Sequence, residues 1–292
     1  MENSSHELLR HLKPMAHHLD GLESELKDRG QVPEVSIKSL PILNQKLWGL
    51  RKGLTVIAAR TSQGKSAAAL QIALDVAEQG LESVILSLEM DVPSMLERMA
   101  CNAQRIDNYA LLTGQYALND EIKAKFKAFR DKIEDMPLLI TCGIGKTFRE
   151  CNQFIELMDP KPKVVILDYI QMAKTFANER SDIAEYIRQF RQLMIENGMR
   201  GIICSQINRQ VEKDNDYRPR LENLKGTGAL EEVSDVCLLL HWNYFYTKIE
   251  AHKNSYDIQI AKNRHGRTST HKVRYIPENY RFEEDEYEEY IK

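Results

Sequence analysis

Leu54-Thr55-Val56-Ile57-Ala58-Ala59-Arg60-Thr61-Ser62-Gln63-Gly64-Lys65-Ser66-Ala67-Ala68-Ala69-Leu70-Gln71-Ile72-Ala73 runs from a continuous apolar stretch, through a polar loop, into an alanine-rich helical pattern. A short apolar run without alternation reads as a strand buried on both faces of a parallel sheet. Gly64-Lys65-Ser66 ends the loop as a P-loop ends, at the opening of a helix. In that chemistry the backbone N–H groups of Ala59, Arg60, Thr61, Ser62, Gln63 and Gly64 curl around a β-phosphate. Lys65 reaches the β- and γ-oxygens, Ser66 holds Mg2+ through its hydroxyl, and the helix N-terminus adds partial positive charge. The first position is Ala59 where glycine is usual; alanine tolerates most turn geometries except positive φ. A second Gly145-Lys146-Thr147 has Ile140 at its first position, so it reads as a loop followed by Thr147 as a helix N-cap.

Four further runs have the same character: Ser83–Leu88, Val164–Leu167, Gly201–Cys204 and Val236–Leu240. Helical stretches over 65–79, 120–134 and 181–197 alternate with them. This alternation predicts an α/β fold with a doubly wound, mostly parallel sheet. In such a sheet the carboxyl ends of the strands share one edge, where ligands bind. Glu89, Asp168 and Gln206 each stand just past a run. Asp168 is therefore expected to hold Mg2+ through water, Glu89 to polarise the attacking water, and Gln206 to donate to the γ-phosphate.

Composition sets the frame. The chain has 292 residues, 42 % of them apolar, and 40 Lys and Arg against 43 Asp and Glu. This balance excludes a globally basic nucleic-acid coat and leaves room for a local basic channel. No apolar run approaches the ~18 residues of a membrane span, and Met1–His6 lacks a signal peptide's character. Five cysteines are scattered without a CxxC pair, as expected of buried thiols in a reducing cytoplasm. Three regions are expected: a helical segment over 1–34, a catalytic domain over 35–276 and an acidic tail over 277–292. The first carries a seam of Leu8, Leu12, Met15, Leu19, Leu22 and Leu26, spaced for one face of an amphipathic helix. The last carries seven acids from Glu278 onward against Arg281 and Lys292, read as a solvated end or a docking tail for a basic partner.

Two basic stretches remain. Lys262 and Arg264 lie between the alternating strands Tyr256–Ala261 and Thr270–Tyr275, with His265-Gly266 as the hairpin tip. Residues at i and i+2 share one side of a strand, and two cations far along the sheet from the P-loop suit a neighbouring subunit's γ-phosphate. After Gln206 a long polar loop carries Lys213, Arg218, Arg220 and then Leu224-Lys225-Gly226-Thr227-Gly228. Lys225 with Gly226, Thr227 and Gly228 offers donors to phosphates, as sequence-independent tracking of a single strand requires.

Taken together these motifs resemble the C-terminal ATPase domain of DnaB-type replicative helicases, on the RecA-like fold. The markers are Ala59–Ser66, Ser87-Leu88-Glu89-Met90 with Arg98 beyond, Leu167-Asp168-Tyr169-Ile170-Gln171-Met172, Ser205-Gln206-Ile207-Asn208-Arg209 and Lys262–Thr268. The resemblance spans about 35–276. It implies a homohexameric ring around single-stranded DNA with ATP and Mg2+ at each interface. It assigns Glu89 as base, Asp168 and Ser66 to the metal, Gln206 as sensor, and Lys262 and Arg264 in trans. Leu224–Gly228 matches the family's central-channel DNA loop, where arginine is more usual than Lys225 and serine more usual than Thr227. Family members carry an N-terminal helical domain that docks primase and forms a collar. About 34 residues precede the ATPase core here, and their leucine seam matches the family's linker helix. A compact phage or prophage form fits this economy, with a loader, primase or other replication protein as partner, in a bacterial or phage-infected cytoplasm.

Three functions remain open on sequence: a helicase translocating on single-stranded DNA, a RecA-fold ATPase that binds DNA without unwinding it, and a ring ATPase that acts without DNA.

Overall fold

The computed structural model describes residues 33–172, 179–213, 216–224 and 228–285, together with Leu19 and Glu23. The chain divides into two units, Met1–Glu34 and Val35–Lys292. The leucine seam belongs to the first and, apart from Leu19, lies outside the described residues.

All five predicted runs become strands. The set is β1 (Gly53–Ala59), β2 (Ser83–Ser87), β3 (Leu138–Cys142), β4 (Val164–Asp168), β5 (Arg200–Gln206), β6 (Val236–His241), β7 (Ser255–Asn263), β8 (Ser269–Ile276) and β9 (Arg281–Glu284). The helices are α1 (Pro41–Leu47), α2 (Lys65–Ala77), α3 (Val92–Gln104), α4 (Asn108–Leu112), α5 (Asp120–Ile133), α6 (Phe148–Leu157), α7 (Glu179–Glu196), α8 (Ala229–Val233) and α9 (Asn243–Thr247). One sheet holds every strand in the order β3-β2-β4-β5-β1-β6-β7-β8-β9. The pairs from β3 to β6 are parallel, and β7, β8 and β9 extend the sheet antiparallel.

Alternation along each strand divides the core. Ile57, Ile85, Ile166, Ile202 and Leu238 face α1, α2 and α3, meeting Leu43, Leu70, Ala73 and Met99. Val56, Val84, Val165, Ile203 and Leu239 face α6 and α7, meeting Ile155, Ile187, Phe190 and Met194. Because both faces are covered, these strands need apolar residues at every position, which is why they read as unbroken runs.

At the second Gly-Lys-Thr, Thr147 caps α6 through a capping box with Glu150, and Lys146 pairs with Glu150 at 3.4 Å. That stretch starts a helix and builds no phosphate cradle.

The expected break at residue 276 is corrected by the structure. Arg281–Glu284 pairs with β8, and Phe282 is fully buried, stacked on Tyr275 with ring centroids 4.5 Å apart. Its acids have internal partners: Glu283 pairs with Arg105 at 2.6 Å, and Glu284 accepts the Ile42 amide at the start of α1 over 2.7 Å. An acidic composition concealed a strand in which Phe282 supplies the inward residue. The end of the tail, 286–292, lies outside the described residues. Phe282→Ala is expected to cost about 3–5 kcal/mol of stability, read as a lower denaturant midpoint at unchanged m-value.

Candidate nucleotide site

The phosphate loop is held between strand and helix by ordinary backbone rules. Ala59 is the last residue of β1, opposite Gln206 of β5, so it keeps extended geometry and needs no glycine. The positive φ falls later, at Ser62 (63°) and Gly64 (79°). Gly64 supplies its φ freely; Ser62 costs about 1 kcal/mol there, a strain typical of functional loops. A side chain at Gly64 would also approach Phe282 to 3.0 Å.

α2 opens at Lys65 immediately after this loop. Lys65 Nζ lies 3.5 Å from Asp168 Oδ1 and 3.6 Å from the Tyr169 ring centre. Asp168, only 5 % exposed, ends β4. The Leu88 amide donates to the Asp168 carbonyl over 2.6 Å, tying the end of β2 to that of β4 and bringing Glu89 to the same edge. Burial, with Glu89 and Asp168 close by, pushes the Tyr169 phenol above its ordinary pKa. From β5, the Gln206 side-chain amide donates to Thr61 Oγ1. Gln171 Oε1 accepts the Gln206 backbone N–H over 3.2 Å, while its amide nitrogen donates to Ser205 Oγ over 2.8 Å.

These groups enclose a cavity of about 320 Å³, lined by Ala59, Arg60, Thr61, Ser62, Gly64, Lys65, Ser66, Glu89, Tyr169 and Gln206 among others. Gln63 is the exception within the expected cradle. Its side chain turns into the core, where Oε1 accepts the Trp242 amide over 3.3 Å and its carbonyl meets the Tyr256 hydroxyl. Loop side chains follow no period, so sequence could not show this direction.

The donor set suits a magnesium–nucleotide. Asp168 Oδ1 is buried, with the Lys65 ammonium at 3.5 Å as its ion-pair partner. With the Ser66 hydroxyl it makes a hard-oxygen pair of the kind Mg2+ uses beside substrate phosphates. Among the described residues no cluster of three His, Cys, Asp or Glu offers an all-protein cage.

Six lining residues had no assigned role in the sequence: Ala67, Met90, Arg98, Tyr169, Tyr275 and Tyr280. The Arg98 guanidinium stands 5.1 Å from the Tyr280 ring centre. Tyr275 and Tyr280 lie some two hundred residues after the loop, and only the alternation of β8 hints that Tyr275 points inward.

Lys262 and Arg264 lie elsewhere. Val236 stands opposite Thr55 near the start of β1, and Asn263 stands opposite Val236. The two cations are thus toward the edge opposite the phosphate loop, about 10–13 Å from Ala59 along the strand direction at ~3.3 Å per residue. Both turn to the end of α8. Lys262 Nζ donates to the carbonyls of Glu231 and Glu232, and Arg264 Nη2 donates to the Glu232 carbonyl over 2.7 Å. Arg264 also pairs with Asp235 at 3.4 Å. Burial works against the Asp235 carboxylate, but Arg191 and the Leu54 amide outweigh it and hold its pKa below the ordinary value. Burial and the neighbouring Arg264 push the Lys262 ammonium below its usual pKa.

The polar loop is only partly described. Lys225, Gly226 and Thr227 lie outside the described residues; Gly228 precedes α8. Arg218 pairs with Asp257 at 2.8 Å and Arg220 with Glu222 at 3.9 Å, so both expected phosphate contacts carry acidic partners in the chain.

With this arrangement in view, comparison with known proteins is decisive. The family of the DnaB-like helicase C-terminal domain matches residues 38–284. The chain belongs to the DnaB-like helicase family. A probable plasmid replicative DNA helicase of Chlamydia psittaci is 34 % identical over 230 residues, 74 % of this chain and 48 % of that protein. The replicative DNA helicase DnaB of Geobacillus stearothermophilus is 30 % identical over 242 residues, covering 80 % and 52 %. The chain therefore spans about half the length of the curated relatives it matches. A DnaB-like replicative helicase, solved in a study of its interactions with primase, superposes with a TM-score of 0.84 at 25 % identity, covering 98 % of this chain and 71 % of that one. A second solved structure, an isolated ATPase domain, gives 0.85 at 25 % identity, covering 94 % of this chain and all of that domain. The DnaB-like assignment fits the RecA-like sheet expected from sequence. No described helix is long and apolar enough to cross a membrane.

Proposed function

We propose that the chain is the ATP-hydrolysing motor of a DnaB-type replicative helicase, working as a homohexameric ring on single-stranded DNA in the cytoplasm. The observation that carries this reading is the split of the site across the sheet. Lys65, Asp168, Glu89 and Gln206 sit at one edge, and Lys262 and Arg264 sit at the other. In this reading a complete set of cations around a γ-phosphate takes two copies arranged head to tail, and heterologous contacts of that kind form a ring where the rotation between copies closes.

In this reading the backbone of residues 59–64 and Lys65 receive the β- and γ-phosphates. Asp168 and Ser66 hold Mg2+, which when bound neutralises charge on the phosphoryl oxygens. Glu89 orients a water and accepts its proton as the water oxygen bonds to the γ-phosphorus and the bond to the bridging oxygen breaks, releasing ADP and phosphate. Gln206 exchanges its bond to Thr61 for the γ-phosphate and so reports whether that group is present. Lys262 and Arg264 of the adjoining copy leave the end of α8 to stabilise the charge of the transition state. Arg98 and Tyr280 offer flat faces to the nucleobase. The loop at Lys225 tracks the DNA backbone, and a primase or loader joins through parts of the replication machinery outside this domain.

Strand displacement from a forked duplex tests the proposal. The full chain is expected to release the labelled strand with ATP and not with a non-hydrolysable analogue, the release fading as salt rises because phosphate contacts weaken with salt. Hydrolysis stimulated by DNA without strand release would favour a DNA-dependent ATPase that does not unwind. Hydrolysis indifferent to DNA would overturn both.

A further inference from the structure

The polar segment after β5 hangs from a neck. Ile207 bridges Leu224 in antiparallel fashion, and the Asn208 amide donates to the Asn223 carbonyl over 2.8 Å. The chain leaves this neck at Leu224, one residue before Lys225.

Arg60 of the phosphate loop grips the neck. Its Nη1 donates to the Ile207 carbonyl over 3.1 Å. Its Nε and Nη2 both donate to Glu212 Oε1, at 2.9 and 2.5 Å. The Arg60 side chain is 12 % exposed and that of Glu212 41 %. The Ile207 amide in turn donates to the Ala59 carbonyl over 2.9 Å. Between them, Ala59 and Arg60 spend a carbonyl and a whole guanidinium on the neck, although Arg60 also lines the nucleotide cavity. A guanidinium beside a phosphate site would serve phosphates well. Here its charge is directed to Glu212.

We propose that Glu212, through Arg60, is a positioning residue that couples the neck to the nucleotide cavity. This rests on the reading of the Lys225 loop as the DNA contact. The planar guanidinium is a rigid three-point link: a strand drawing on Lys225 displaces Ile207 and Glu212, and with them Arg60 and the adjacent Gln206. Coupling of this kind is reciprocal for binding, so nucleotide in the cavity also fixes the neck. The pair is partly exposed, and exposed ion pairs contribute little to stability; substituting Glu212 should spare the fold.

The test compares the full-length parent with Glu212→Ala and Glu212→Gln, measuring ATP hydrolysis against added oligo(dT) and, separately, oligo(dT) binding across salt. Glu212→Ala is expected to keep the DNA-free rate and the salt dependence of binding while its stimulation by DNA falls about tenfold. Glu212→Gln, which retains the accepting oxygen, should recover part of that loss. Undiminished stimulation in Glu212→Ala overturns the proposal, as does an equal loss of DNA-free and DNA-stimulated rates, which marks a merely structural role. A parent that fails to bind oligo(dT) overturns the DNA reading itself, and this proposal with it.

Discussion

Lys65→Ala is expected to lower ATP hydrolysis by about 10²–10³-fold, the scale seen when one preorganised charge-stabilising donor is removed. The reasoning is electrostatic. Lys65 Nζ sits 3.5 Å from the buried Asp168 carboxylate, over the face of Tyr169, at the floor of the cavity. Remove it, and incoming phosphates meet Asp168 and Glu89 without a compensating cation. Both the affinity for ATP and the turnover of bound ATP should fall, because the same charge serves ground and transition states. Steady-state hydrolysis, with a thermal melt to confirm folding, checks this. Turnover near the parent's would contradict the placement of the γ-phosphate beside Lys65.

The scaffold of the site was legible because its strands are buried on both faces. Each wrote itself as an apolar run, and the rule that ligands gather at the carboxyl edge then singled out Glu89, Asp168 and Gln206. What stayed hidden had three physical causes. Side-chain direction in an irregular loop has no period, so nothing marked Gln63 as turned inward. Partners distant in sequence leave no joint pattern: Glu212 meets Arg60 across 152 residues, and Tyr280 reaches the cavity from beyond β8. Main-chain acceptors are invisible in a sequence, which is why the engagement of Lys262 and Arg264 with the α8 carbonyls emerged only in three dimensions. Beta-strand period was concealed once by charge, where Phe282 lies among Arg281, Glu283 and Glu284.

The proposed sharing of the site between two copies has the other large consequence. Arg264→Ala is expected to reduce hydrolysis about 10³-fold or more, the scale of an arginine finger, yet leave nucleotide binding intact because Arg264 stands at the opposite edge from the cavity. The fold should survive, since Asp235 keeps Arg191 at 2.8 Å and the Leu54 amide at 2.9 Å. Glu89→Gln should likewise bind ATP and fail to turn it over.

Mixing the two inactive proteins tests the central claim most directly. In a mixed assembly, an Arg264→Ala subunit offers an intact Glu89, and an adjoining Glu89→Gln subunit offers an intact Arg264. Random head-to-tail pairing at equal amounts restores roughly a quarter of the interfaces. Hydrolysis measured after subunit exchange, with exchange verified by co-purification of differently tagged copies, is predicted to rise well above that of either protein alone. Verified mixed assemblies as inactive as their parts would contradict the account and place Arg264 in the service of its own chain.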